Sequence, residues 1–123
     1  MSDVDTAPIL VGVSDLFFAT RISETAKQVG ARIGFAGAAP ELLAKISPST
    51  RLMIVDLNSK ALDPVATIAK LKSDPELASI SITAFVNHEC ADLIEAAQQA
   101  GCDQVLNRGA FSAQLAGLLK RHC

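Results

Sequence analysis

One stretch of the sequence, Arg51–Asn58, constrains the fold more than any other. Four apolar residues, Leu52 to Val55, are followed directly by Asp56. A continuous apolar run of this length is typical of a strand that is buried on both faces of a parallel sheet. A charged carboxylate is costly inside such a strand, but it can lie at the carboxyl end, where open α/β sheets have their ligand crevice. We therefore expect Asp56 to end a central strand and to be the first candidate for chemistry.

The rest of the chain alternates short apolar runs with segments of helical periodicity. Asp15 and Asp63 are placed to cap helices, while Gly30 and Gly101 are placed to end them. Phe17, Phe18, Ile22 and Ala26 are expected to form the inner face of the first helix. The pattern predicts strands over 8–13, 32–36, 51–58, 80–86 and 104–107, and helices over 16–29, 40–46, 64–72, 90–100 and 110–121.

Strict alternation with short connections predicts right-handed crossovers and a parallel sheet covered on both faces. At 123 residues the expected fold is a flavodoxin-like α/β three-layer sandwich with strand order 2-1-3-4-5. Residues 8–123 should form this one domain, preceded by a flexible tail over 1–7. The ligand crevice of such a sheet lies between strands one and three, so Asp15 and Asp56 should meet at one edge.

Composition excludes several classes of function. The net charge of −2 argues against non-specific nucleic-acid binding, which needs a basic surface. No apolar run is long enough to span a bilayer, and the amino terminus lacks a signal-peptide pattern. Three widely spaced cysteines without a CxxC pair predict neither a zinc site nor a disulfide framework. We expect a cytoplasmic protein without a nucleic-acid or membrane partner.

Two carboxylates at adjacent strand ends repel each other unless a cation lies between them. Asp15 and Asp56 are hard oxygen donors, which suit Mg²⁺ together with a backbone carbonyl and water. Such a site can also neutralise a phosphoryl group that arrives on one of the carboxylates. Arg108 follows the fifth strand and is expected to project towards this edge.

Four motifs in this chain resemble those of the receiver domains of two-component response regulators, the CheY-like family. Val55–Asn58 resembles the phosphoacceptor motif, and Val13–Asp15 lies where the family has an acidic pair. Ala97–Asp103 resembles the signature before the fifth strand, and Asn107–Phe111 lies where the family has a Lys-Pro-Phe-like segment. The resemblance covers the chain from Ile9 to about Leu119.

The resemblance implies a stand-alone signalling module and not an enzyme. It implies that Asp56 accepts the phosphoryl group, that Asp15 binds Mg²⁺, and that Asn58 offers the metal its backbone carbonyl. It also implies a histidine kinase, a phosphotransfer protein or an effector protein as partner. A homodimer could form through the face built from the fourth helix, the fifth strand and the last helix.

The chain also departs from the family pattern. Ser14 replaces the first acid of the pair, and Arg108 replaces the lysine. Counted without gaps from Gly101, the switch hydroxyl position falls on Val86; a three-residue slip would place Thr83 there instead. Strand five carries no Tyr or Phe, so the usual relay from hydroxyl to aromatic ring is not expected.

Two alternatives to a phosphorylated receiver remain open. In the first, Arg108 holds Asp56 in a permanent ion pair, and the domain is a pseudo-receiver that acts only as a protein-interaction module. In the second, the chain is a small flavodoxin-like protein that binds a nucleotide or a flavin. The second has little support, because no Gly-rich or Ser/Thr-rich phosphate loop follows the first strand.

Overall fold

The computed structural model describes residues 8–86 and 91–122 as a single parallel sheet with helices on both faces. The strands are β1 (Ile9–Gly12), β2 (Ile33–Ala36), β3 (Leu52–Asp56), β4 (Ser81–Val86) and β5 (Gln104–Asn107). The helices are α1 (Leu16–Val29), α2 (Ala39–Lys45), α3 (Pro64–Lys72), α4 (Ala91–Gln99) and α5 (Arg108–His122), with a 3₁₀ turn at Lys60–Leu62.

The strands run parallel in the order β2-β1-β3-β4-β5, which confirms the predicted fold class. Side chains that alternate along each strand feed two apolar clusters, one on each face of the sheet. On β3, Ile54 belongs to the cluster under α1 and α5, while Met53 and Val55 belong to the opposite one. No helix in the described ranges is long and apolar enough to cross a membrane.

Helix α1 begins and ends where the sequence predicts. The Asp15 carboxylate accepts a hydrogen bond from the backbone N–H of Phe17 at 2.8 Å, and Gly30 ends the helix with φ 75°. Phe18 is buried, as expected, but Phe17 is 56% exposed. Adjacent helical residues point about 100° apart, so only one of two neighbouring rings can point straight at the sheet.

Two other helix starts differ from the prediction. Asp63 precedes α3 but makes no side-chain cap, because its backbone is left-handed (φ 42°) and also closes the preceding 3₁₀ turn. Helix α5 begins at Arg108 and not at Ala110, because the side-chain oxygen of Asn107 accepts the backbone N–H of Ala110 at 2.8 Å. The predicted tail over 1–7, the predicted loop over 87–89 and Cys90 lie outside the described residues.

Candidate functional site

Asp56 is the last residue of β3 and lies at the carboxyl edge of the sheet, as the sequence predicts. Asp56 is only 7% exposed, and its Oδ1 accepts the backbone N–H of Asn58 at 2.9 Å. On one side β3 pairs with β1, whose Gly12 lies opposite Val55 and leads into the segment carrying Asp15. The structure thus brings Asp15, Asp56 and the Asn58 backbone to one edge.

The electrostatics of this edge are those of a partly desolvated carboxyl group beside a second acid. Burial raises the pKa of the Asp56 carboxyl above its ordinary value of 3.8; the hydrogen bond from Asn58 lowers it, and the charge of Asp15 raises it further. The ionised form of Asp56 is therefore destabilised in the folded protein, and a cation bound beside it would stabilise that form.

This raised pKa predicts that Asp56→Asn stabilises the protein in metal-free buffer near neutral pH. An acid whose pKa is higher in the folded than in the unfolded state loses stability as the pH rises through that interval. The asparagine keeps an oxygen for the Asn58 N–H and carries no charge. The gain in the free energy of unfolding should be small below pH 4 and should grow up to the folded pKa, as measured by urea denaturation with EDTA.

Glu24→Gln provides the matched control, because Glu24 is an exposed acid on α1. It should leave the pH profile of the free energy of unfolding close to that of the unmodified protein. If the stability difference between Asp56→Asn and the parent stayed constant from pH 3 to pH 8, the ionised carboxylate of Asp56 would not be destabilised by its burial.

Ser14 lies at the position where an acid was expected, and its hydroxyl has a defined partner. The Oγ of Ser14 and the Oγ of Ser59 are 2.5 Å apart, and Ser59 is buried. This hydrogen bond joins the segment after β1 to the segment after β3, which flank the acid pair. Ser14 therefore fixes two segments of backbone around Asp56 and adds no charge to the site.

The donor set at this edge fits a hard divalent ion. Asp15 and Asp56 each accept a backbone N–H through Oδ1, and the second oxygen of each carboxylate, with the Asn58 carbonyl, would hold the ion. Oxygen ligands in small number, completed by water, suit Mg²⁺. The described residues contain no cluster of three or more His, Cys, Asp or Glu side chains, so the binding would rest on two carboxylates.

The strand register decides which residue of β4 lies near Asp56. Asp56 pairs with Phe85, and Val86 is the last residue of β4, opposite Asn107 of β5. Thr83 is buried further back in the strand, opposite Ile54. The ungapped count therefore agrees with the register: Val86 lies at the carboxyl edge and Thr83 does not. The edge of β4 offers no side-chain hydroxyl to a phosphoryl group.

Arg108 does not pair with Asp56. Its guanidinium carbon lies 5.7 Å from the centroid of the Phe17 ring and 5.4 Å from that of Phe18. The ion pairs found within residues 8–86 and 91–122 are Lys45–Glu41 and Lys72–Asp103. A permanent ion pair between Arg108 and Asp56, which the pseudo-receiver alternative needs, is not formed in this structure.

The rings under Arg108 belong to an aromatic cluster that connects α1 and α5 to the strand residue beside Asp56. Phe85 stacks on Phe111 with centroids 4.4 Å apart, and Phe18 lies 4.9 Å from Phe85. All three are buried. Such ring pairs add stability beyond their buried area, so the cluster sets the position of α1 and of its amino-terminal residues at the site.

Two features of the site were missed by sequence reasoning. The pairing of Ser59 with Ser14 has no sequence signal, because the two residues are 45 positions apart in polar segments. The cap provided by Asn107 did have a signal, since asparagine before an amphipathic helix is a preferred N-cap.

No family model matches the chain, and neither does any curated protein. Solved structures do match. The phosphorylated cyanobacterial phytochrome response regulator RcpA is 19% identical, with a TM-score of 0.76 over 94% of this chain and 89% of its own. The receiver domain of a DNA-binding response regulator from Colwellia psychrerythraea is 20% identical, with a TM-score of 0.77 over 92% and 94%.

A third match is a response regulator in its Mn²⁺-bound form, which is 16% identical, with a TM-score of 0.72 over 91% of each chain. At these identities the likeness establishes the fold. The chain therefore has the fold of the receiver domains of response regulators, as the sequence motifs indicated.

Proposed function

We propose that this chain is an atypical receiver domain of a two-component signalling system, and that Asp56 accepts the phosphoryl group. One observation carries the proposal. The Asp56 carboxylate ends β3 beside Asp15, while the guanidinium of Arg108 lies over two aromatic rings and not on the carboxylate. The acid is thus held at the edge of the sheet without being neutralised by a fixed cation.

The chemistry is a phosphoryl transfer in which Asp56 is the nucleophile. Above its raised pKa the carboxyl group is ionised, and one oxygen attacks the phosphorus of a phosphohistidine on a partner kinase or phosphotransfer protein. The P–N bond breaks as the acyl phosphate forms, and the released imidazole takes a proton from water. A divalent ion held by Asp15, Asp56 and the Asn58 carbonyl would supply positive charge to the phosphoryl oxygens. Such a module acts in the cytoplasm.

The pseudo-receiver alternative is less well supported. It requires Arg108 to neutralise Asp56 permanently, and the guanidinium is instead engaged by Phe17 and Phe18. Arg108 follows β5, which is separated from β3 only by β4, a span of about 10 Å between strand axes, so we expect its side chain to reach a phosphoryl group on Asp56 once it leaves the rings.

The proposal predicts that the purified protein, incubated with acetyl phosphate and Mg²⁺, gains the mass of one phosphoryl group on Asp56. Acetyl phosphate serves as a donor whose leaving group is acetate. Asp56→Asn should lose this gain completely, because an amide oxygen cannot form the acyl phosphate. Intact-protein mass spectrometry measures the change, and peptide mapping locates it.

Asp63→Asn is the matched control, because Asp63 is an exposed acid after the same strand; this variant should be modified as fully as the parent. Beryllofluoride, which mimics a phosphoryl group without covalent transfer, should show a bound ¹⁹F resonance in the same proteins except Asp56→Asn. An absence of both the mass gain and the bound resonance in the parent would overturn the proposal in favour of the interaction module.

A further inference from the structure

Arg108 contacts helix α1 through its charged guanidinium group, which lies over an exposed aromatic ring. Arg108 is the first residue of α5, and its guanidinium lies over Phe17 and Phe18 at 5.7 and 5.4 Å. Phe18 is buried, whereas Phe17 is 56% exposed and Leu16 beside it is 81% exposed. A guanidinium over an aromatic face is attracted by the ring quadrupole. Arg108 therefore covers part of an apolar surface at the start of α1.

The same ring is tied directly to the acidic edge. The backbone N–H of Phe17 donates to the Asp15 carboxylate at 2.8 Å, and the charge of Asp15 acts on Asp56. Phe17 thus lies two residues from Asp15 and in contact with the guanidinium of Arg108. A change in the charge on Asp56 therefore acts on Asp15, which caps the helix that carries Phe17.

A phosphoryl group on Asp56 would compete with the rings for Arg108. It brings additional negative charge and three acceptor oxygens, and arginine binds such groups through two parallel charge-assisted hydrogen bonds. These bonds are stronger than a cation–π contact at a half-exposed ring. Val86 offers no hydroxyl at the carboxyl end of β4, and β5 carries no aromatic residue. Arg108, which follows β5, is a cation that can respond in their place.

We propose that Arg108 has two positions: over Phe17 when Asp56 is unmodified, and on the phosphoryl group when Asp56 carries one. Its departure uncovers the Phe17 ring, so the state of Asp56 is displayed on the surface of α1 formed by Leu16 and Phe17. This regulation rests on the proposed function, because it requires Asp56 to carry the group. It places the output at the start of α1, where Leu16 and Phe17 line one groove of about 420 Å³ together with three further residues of α1.

The experiment uses a tryptophan at position 17. The chain contains no Trp and no Tyr, so Phe17→Trp introduces the sole strong fluorophore, and an indole face binds a cation at least as well as a phenyl face. Beryllofluoride with Mg²⁺ should bind, as shown by its ¹⁹F resonance. The tryptophan should then change its emission and become more accessible to acrylamide, because the guanidinium has left the ring.

Two double variants separate Arg108 from its surroundings. Phe17→Trp with Arg108→Gln should start with the accessible emission and lose the whole response to beryllofluoride. Phe17→Trp with Arg21→Gln is the matched control, because Arg21 lies on the same helix beside the groove but is not over the ring. This control should keep the response of the single variant. The change at position 17 is on an exposed surface, so folding should be retained.

The outcomes distinguish the two proposals. A bound ¹⁹F resonance with no change in emission, or with the same change after Arg108→Gln, would overturn the two-position arginine while leaving phosphoacceptance by Asp56 in place. No bound resonance in the single variant and in the parent would overturn both. The side-chain Nε–H signal of Arg108 in the unmodified chain, assigned by NMR with Arg108→Gln, gives an independent reading: it should shift on binding, and a signal that stays in place rejects the inference.

Discussion

Replacing Phe85 with alanine is expected to lower the free energy of unfolding by about 3–5 kcal/mol, the range for truncating a fully buried phenylalanine. Phe85 has no exposed surface, stacks on Phe111 at 4.4 Å and contacts Phe18 at 4.9 Å. Truncation would leave a cavity between α1, α5 and the sheet, next to Asp56 in the register. Because small domains are stable by only about 5–15 kcal/mol, the variant should be near the limit of folding. Urea denaturation followed by circular dichroism measures the loss.

Phe17→Ala is the comparison for this variant. Phe17 touches the same cluster through an edge contact with Phe18 at 5.7 Å, but it is more than half exposed. Its truncation should cost about 1 kcal/mol, consistent with a surface ring that loses one aromatic pair. Equal losses from the two variants would mean that the cluster is not the buried core described above.

Gly101→Ala is expected to cost about 3 kcal/mol, the second-largest effect, through backbone strain and overpacking combined. Gly101 has φ 110°, a conformation that residues with a Cβ rarely adopt, and an added Cβ would lie 2.8 Å from Cγ of Lys72. A movement of the Lys72 side chain to make room would cost free energy, because it would break hydrogen bonds. Its ammonium group donates to the carbonyls of Ala78 and Ile80 and to the carboxylate of Asp103.

Gly30→Ala separates the two causes. Gly30 also has a positive φ, 75°, but an added Cβ would meet nothing within 4 Å. The substitution should therefore cost about 1 kcal/mol, from backbone strain alone. Thermal and urea unfolding of both variants would test the difference, and a Gly101→Ala protein as stable as Gly30→Ala would mean that Lys72 does not restrain this turn.

The sequence was sufficient for the sheet and for the position of its acids. Short continuous apolar runs that alternate with helical segments favour buried parallel strands. The strand order could therefore be predicted from this alternation and from the length of the chain. Asp15 was placed correctly because a cap depends on the next three residues alone. Asp63 resembles Asp15 in sequence, yet its backbone is committed to the preceding turn, which no local pattern records.

The parts of the site that could not be predicted from the sequence depend on contacts between side chains that are far apart in the chain. Arg108 was expected to point towards Asp56, but its guanidinium lies over the ring of Phe17, about 90 positions earlier in the chain. Ser14 was recognised as a missing acid, whereas its bond to Ser59 was not foreseen. Periodicity locates a residue on an element; the rotamer and partner are chosen by packing in three dimensions.

The neutral side chain of Ser14, which forms a hydrogen bond with Ser59, has a consequence for charge balance at this edge. With Ser14 neutral, the ionised carboxylates of Asp15 and Asp56 carry two negative charges, which one divalent ion cancels. A third acid at position 14 would leave the occupied site with an excess negative charge that repels an incoming phosphoryl group. In the proposed site, a serine at position 14 would therefore favour arrival of an anion over tight retention of a cation, and it would leave the occupied site near electrical neutrality.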